Sequence, residues 1–217
     1  MNIRQLARIV KTLRRGVMAG LPMAEKSRDP IELFGEWFDT AERCGIYLHE
    51  AMTLATSTPD GIPSARMVLL KGFDHSGFSF FTNYGSRKSA ELDGNPNAAL
   101  VLHWNVLQRQ IRITGAVARV SHEESAAYYK SRPRGSRIAA WASRQSRVLA
   151  HRDDLRRAFD EKQKEYESGD VPLPDFWGGY RLLPDDIEFW QGKANRMHDR
   201  LLFRRHQAGW VSEWLYP

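Results

Sequence analysis

Cations gather where this 217-residue chain has polar residues spaced to bind an anion. The first group lies in RMVLLKGFDHSGFSFFTNYGSRK (66–88). Arg66 and Lys71 flank an apolar run, and Ser86 stands as an N-cap just before Arg87 and Lys88. Cations in the first turn of a helix oppose its dipole, a cost that a bound phosphate dianion would offset. Side chains turned into solvent explain the same residues. The second group is SRPRGSRIAAWASRQSR (131–147), where Arg132, Arg134, Arg137, Arg144 and Arg147 alternate with Ser131, Ser136, Ser143 and Ser146. Forked donors among hydroxyls suit phosphate capture, and a solvated basic helix fits the composition equally. The third is a polar strand face, Gln110, Arg112 and Thr114, interleaved with Ile111 and Ile113. Such a face lines a ligand site or meets water.

These groups need elements to hold them. Asp29-Pro30-Ile31-Glu32 is a helix start, with Asp as cap and Pro at the first position, and Ile31, Phe34, Trp37, Phe38 and Ala41 form an apolar stripe ending at Gly45. From residue 51 the pattern is β: a strand over 52–58, a turn at Pro59-Asp60-Gly61, and a hairpin turning at Asp74-His75-Ser76-Gly77. A short helix over 86–93 precedes long strands over 98–104 and 108–120. Ser121 to Glu124 reads as a capping box, 153–167 as a charged amphipathic helix, and 169–175 as a loop. Short strands follow at 180–183, 187–190, 200–203 and 210–214. The expectation is a mainly β protein, an antiparallel barrel with appended helices, as a single domain over 29–217. Before it, residues 1–28 form a mobile basic arm or a lid over an anionic ligand.

Composition narrows the chemistry. Hydrophobic residues make up 42% of the chain, ample for a core, and seven Trp, seven Tyr and ten Phe suit flat-ring ligands. A net charge of +6 favours anionic partners, yet the cations are dispersed among acids, which disfavours nucleic acid. Cys44 is the single cysteine, so a disulfide within the chain is excluded. The absence of any membrane-length apolar run or signal-peptide core makes the cytoplasm the expected location. HExxH, GxSxG, Walker A and strand-linked GxGxxG motifs are all missing, as is paired metal-ligand spacing, so no metal is expected. What is left suits a phosphorylated flat cofactor such as flavin mononucleotide (FMN).

The chain resembles the pyridoxine/pyridoxamine 5′-phosphate oxidase family from about Asp29 to Pro217. The resemblance is carried by RMVLLK (66–71), FTNYGSRK (81–88), SRPRGS (131–136), ASRQS (142–146), PLPDFWGGYR (172–181), IEFWQG (187–192) and RMHDR (196–200). Each motif is weak alone; their order and spacing are specific. The family implies an FMN-binding split β-barrel and a homodimer with flavin sites at the subunit interface. By that resemblance Arg66, Lys71, Arg87 and Lys88 hold the FMN phosphate and its surroundings. The backbone around Met67, Val68, Leu69 and Leu70, with Phe81 and Thr82, lines the flavin, while Gln110, Gln145, Ser146, Trp190 and Arg200 complete its site, some from the partner chain. Lys71, Tyr128, Arg132 and Ser136 take the substrate phosphate, and Arg196, Met197 and His198 meet the pyridine ring, with Arg14 reaching over it. Arg196 and His198 are the implied catalytic pair; being two apart, they share one face if they lie on a strand.

The implied reaction converts pyridoxine or pyridoxamine 5′-phosphate to pyridoxal 5′-phosphate by hydride transfer from C4′ to flavin N5, with O2 returning the flavin to its oxidised form and giving H2O2. One departure concerns the arm, where the family's Arg-Arg-x-Tyr element is replaced by Arg14-Arg15-Gly16-Val17. Two alternatives stand beside this reading. One is a phenazine-pathway type of FMN oxidase, disfavoured by Tyr128, Arg132, Ser136, Arg196 and His198; the other is a non-catalytic module binding flavin or nucleic acid.

Overall fold

The computed structural model describes residues 26–207 and 209–217. Arg14, and all of the expected arm but its last three positions, lie outside the described residues. Nine antiparallel strands form one sheet: β1 (Ala51–Ser57), β2 (Pro63–Leu69), β3 (Gly72–Asp74), β4 (Gly77–Asn83), β5 (Asn97–Trp104), β6 (Arg109–Arg119), β7 (Trp177–Gln191), β8 (Asp199–His206) and β9 (Gly209–Trp214). The strand order is β2-β1-β5-β6-β7-β4-β3, with β8 added on β7 and β9 on β8. Among the described residues five α-helices accompany it: α1 (Pro30–Arg43), α2 (Arg87–Gly94), α3 (His122–Ser131), α4 (Arg134–Ala142) and α5 (Arg152–Glu165). The mainly β class with appended helices is therefore as expected.

Alternation builds the core. Met52 and Leu54 of β1, Leu100 and Leu102 of β5, and Ile111 and Ile113 of β6 all point inward and are fully buried. α1 closes over them. Asp29 Oδ1 accepts from the Ile31 and Glu32 amides at 2.8 and 3.1 Å, so two of the helix's orphan donors are satisfied. Its apolar stripe sets Phe34 edge-on to Phe73 and Phe78, at 4.7 and 4.9 Å, and Trp37 edge-on to Phe189 at 5.2 Å.

Two expected short strands, 180–183 and 187–190, are one 15-residue strand, β7. The reason lies at Gly115 and Pro184, which face each other where the β6–β7 register shifts. A Cβ on Gly115 would stand 2.0 Å from the Leu183 carbonyl oxygen, so only glycine admits that approach. Before the irregularity β7 pairs with β4; after it, with β8. Proline there marks a change of partner, not an end of strand.

Candidate functional site

A cleft of about 760 Å³ opens between β2, β4, the start of α2, and the α3–α4 segment. It gathers fourteen of the expected residues: Arg66, Met67, Val68, Leu69, Lys71, Phe81, Thr82, Arg87, Lys88, Tyr128, Arg132, Ser136, Gln145 and Ser146. Leu70 does not line it; just past the end of β2, its side chain is buried in the core.

One end of the cleft is cationic. Lys88 is buried and donates to Thr82 Oγ1 at 3.0 Å, Gln145 Oε1 at 2.9 Å and Ser86 Oγ at 3.3 Å. Burial, reinforced by the Arg66 charge and opposed by Glu91, pushes its pKa down to about 8. Arg66 Nη1 donates to the Leu54 carbonyl at 3.2 Å, and its Nη2 to Glu91 Oε2 at 3.1 Å. Arg87 Nε donates to Glu91 Oε1 at 2.8 Å. Burial alone would raise the Glu91 pKa, but hydrogen bonds from Ser64, Thr56, Arg87 and Arg66 outweigh it and hold the carboxyl near 2. Ser86 occupies the N-cap position of α2, but its hydroxyl meets Ser89 and Lys88 and caps no amide.

The other end is aromatic and basic. Phe81 stacks on Tyr128 at 4.0 Å and on Trp177 at 5.7 Å. The Arg132 guanidinium lies 4.6 Å from the Trp177 ring, and its buried Nη1 has no hydrogen-bond partner among the described residues. Lys71 Nζ is 3.7 Å from Glu50. Gly179 makes the aromatic wall possible, since a Cβ there would sit 2.6 Å from Phe81 Cε1.

The remaining expected residues form a separate patch. Gln110, Trp190 and Arg200 are direct neighbours across β6, β7 and β8, on the face turned away from the core. Arg200 donates from Nε and Nη2 to Glu188, at 2.8 and 3.1 Å, and Arg112 shares that carboxylate at 3.1 Å. The polar face of β6 thus enters an ion network. His198 lies against the Trp190 ring at 4.7 Å, and its Nδ1 accepts from the Lys193 amide at 3.1 Å. Arg196 and Met197 are exposed. The condition under which Arg196 and His198 would share a strand face is not met: Arg196 ends a 3₁₀ turn, Ala194–Arg196, with Asn195 and Arg196 at φ +57° and +59°, and β8 begins only at Asp199. None of Gln110, Trp190, Arg196, Met197, His198 or Arg200 lines the cleft.

Sequence reasoning missed Glu91, Trp177 and Gly179. Glu91 had a signal in its i,i+4 spacing from Arg87; the other two stood only within a quoted motif. Among the described residues there is no cluster able to hold a metal, and no helix long and apolar enough to cross a membrane.

The donor set fits a phosphorylated flat-ring group. Arg66 and Arg87 share the Glu91 carboxylate, and Lys88 beside them is held by Thr82, Ser86 and Gln145; three cations against one carboxylate leave the twofold positive surplus that a phosphate dianion neutralises, and the stacked rings of Phe81, Tyr128 and Trp177 lie beside the orphaned Arg132 nitrogen.

Comparison with known proteins agrees with this geometry. Residues 38–164 match the family described as pyridoxamine 5′-phosphate oxidase, and residues 177–217 match the pyridoxine 5′-phosphate oxidase C-terminal dimerisation region. The chain is similar to the pyridoxine/pyridoxamine 5′-phosphate oxidase of Rubrobacter xylanophilus, 53% identical over 94% of each chain. It is also similar to that of Colwellia psychrerythraea, 49% identical over the whole of both. Among solved structures, PhzG of Burkholderia lata in complex with tetrahydrophenazine-1-carboxylic acid superposes with a TM-score of 0.87 at 30% identity, covering 93% of this chain and 100% of that one. A pyridoxamine 5′-phosphate oxidase-related, FMN-binding protein of Nostoc punctiforme has a TM-score of 0.71 at 18% identity, covering 88% of this chain and 100% of the other, and shares the fold.

Proposed function

The chain belongs to the pyridoxamine 5′-phosphate oxidase family, and from that premise we propose that it oxidises pyridoxine 5′-phosphate and pyridoxamine 5′-phosphate at C4′ to give pyridoxal 5′-phosphate, with FMN in the cleft. The observation that carries this reading is the cleft's two positive ends joined by a stacked aromatic wall. One end suits a cofactor phosphate and the other a substrate phosphate.

Arg66, Arg87 and Lys88 hold the FMN phosphate; Met67 to Leu69, Phe81, Thr82, Gln145 and Ser146 line the flavin. Lys71, Tyr128, Arg132 and Ser136 hold the substrate phosphate, where a dianion gives the orphaned Arg132 Nη1 its missing acceptor. A flavin held there would supply the acceptor for the C4′ hydride and a route for its electrons to O2, giving H2O2.

The C-terminal segment is a dimerisation region, and the chain forms a homodimer. We assign the patch of Gln110, Trp190, Arg196, Met197, His198 and Arg200 to the partner's cleft, which explains why a chain's own patch lies outside its own cleft. Arg196 and His198 orient the pyridine ring. His198 accepts at Nδ1, so its neutral ring carries the proton on Nε2 and presents a donor there; taking the alcohol proton requires the ring to leave Lys193.

The test is anaerobic. Pyridoxine 5′-phosphate added to the yellow protein should bleach the flavin bands, and aeration should restore them with pyridoxal 5′-phosphate formed. The likeness to PhzG supports a second substrate class, a ring without phosphate. A yellow protein that such a ring bleaches and pyridoxine 5′-phosphate does not would favour it. A colourless protein that takes up no FMN would sink both.

A further inference from the structure

We propose that Glu91 is a positioning residue of the phosphate end: its buried carboxylate holds the Arg66 and Arg87 guanidiniums where a phosphate dianion can use them. The inference rests on the assignment of that end to FMN. Glu91 lies in α2, one turn beyond Arg87, so the two share a helix face. It is 4% exposed and accepts from four donors. Arg87 Nε is at 2.8 Å, Arg66 Nη2 at 3.1 Å and Ser64 Oγ at 2.6 Å, with Thr56 Oγ1 the fourth. β1, β2 and α2 are thereby tied to one carboxylate.

The need for such a tie is greatest at Arg87. It stands in the first turn of α2, where the helix dipole repels a cation, and its side chain is 61% exposed. Glu91 is its ion-pair partner, and among the described residues no other ion pair is made by Arg87. Without it a long side chain would be ordered only at the moment of binding, which weakens binding. Simple charge attraction predicts the reverse. A carboxylate close to a phosphate repels it, so deleting the charge would tighten binding if attraction alone ruled. The sign of the effect therefore decides between the two.

The experiment uses the full-length dimer freed of flavin, titrated with FMN and with riboflavin, which lacks the phosphate, by quenching of flavin fluorescence. Glu91→Gln keeps the side chain's shape and its acceptor for Ser64 or Thr56, and loses the charge. FMN affinity should fall roughly tenfold or more, as expected for losing charge-assisted hydrogen bonds, while riboflavin affinity stays within about twofold. In a double-mutant cycle, Glu91→Gln and Arg87→Gln should be less than additive toward FMN, because one acts through the other. An FMN affinity that is unchanged or improved in Glu91→Gln, or strictly additive losses, would overturn the proposal. If Glu91→Gln loses both ligands together, Glu91→Asp, which keeps the charge on a shorter stem, decides: loss confined to FMN supports positioning, and parallel loss overturns it. An unmodified protein that binds FMN no better than riboflavin would instead refute the assignment of the phosphate end.

Discussion

The cleft and the β6–β8 patch hold residues expected to serve one reaction, yet they are built in opposite ways. In the cleft, cations are buried or tied down: Lys88 has three hydrogen-bonded oxygen partners and Arg66 shares Glu91 with Arg87. In the patch, Arg200 is tied by Glu188, but Arg196 and Met197 stand exposed on a turn with left-handed backbone. A chain can preorganise phosphate recognition alone, because a dianion needs only fixed donors around a cavity. On the proposed assignment, the groups that meet the reacting ring are the ones a second chain would deliver.

The sharpest way to break this contrast is to disable one half in each chain. Arg132→Ala should empty the cleft's substrate end and Arg196→Ala the patch, each lowering kcat/KM about 100-fold or more as a homodimer. Co-expressed, the two variants should regain activity, because each mixed dimer unites one intact cleft with one intact patch. Mixed dimers as inactive as either parent would mean that each chain completes its own site.

Weaker blows should separate the regions by kind of damage. Gly179→Ala pushes a Cβ into Phe81 and should cost roughly 1–3 kcal/mol of stability, as overpacking does, with flavin affinity falling alongside. Retained stability and full flavin binding would show the aromatic wall to be adaptable. Glu188→Gln frees Arg112 and Arg200, both partly exposed, and should cost only about 1 kcal/mol in chemical denaturation. Its larger effect should be on turnover, through a displaced Arg200.

Much of the frame was legible because local physics decided it. Asp29 ahead of Pro30 starts α1 where the cap and the fixed proline φ say it must, and strict alternation along β1, β5 and β6 places their core faces. The cationic end was legible only as two open readings, because sequence shows where charges are and not whether they are buried. β7 reads as two strands in the sequence, and nothing local shows that the chain runs on through Pro184, where β4 is exchanged for β8. The spacing of Arg196 and His198 leaves open whether they lie on a strand, because it carries no sign of a 3₁₀ turn. Glu91 escaped because a lone acid among basic residues reads as a solvated charge until Thr56, Ser64 and Arg66 arrive from distant strands.

A graded effect belongs to Lys88, and its sign is informative. Without phosphate its folded pKa of about 8 lies below the ordinary 10.5. Between those values the unfolded chain keeps a proton that the folded chain has lost, so the stability of flavin-free protein should rise with pH across that window. A phosphate dianion has the opposite preference and favours the ammonium. FMN binding should therefore take up a proton above pH 8, and affinity should fall as pH climbs from 7.5 to 9.5, by no more than about tenfold per pH unit. Riboflavin affinity should stay flat, and Lys88→Arg, which cannot lose its charge, should flatten the FMN curve as well. The patch has no buried lysine, so Glu188→Gln should leave the curve where it was. Parallel FMN and riboflavin curves would mean that the Lys88 ammonium does not face the phosphate, and that the cleft's preorganised charge lies with Arg66 and Arg87 alone.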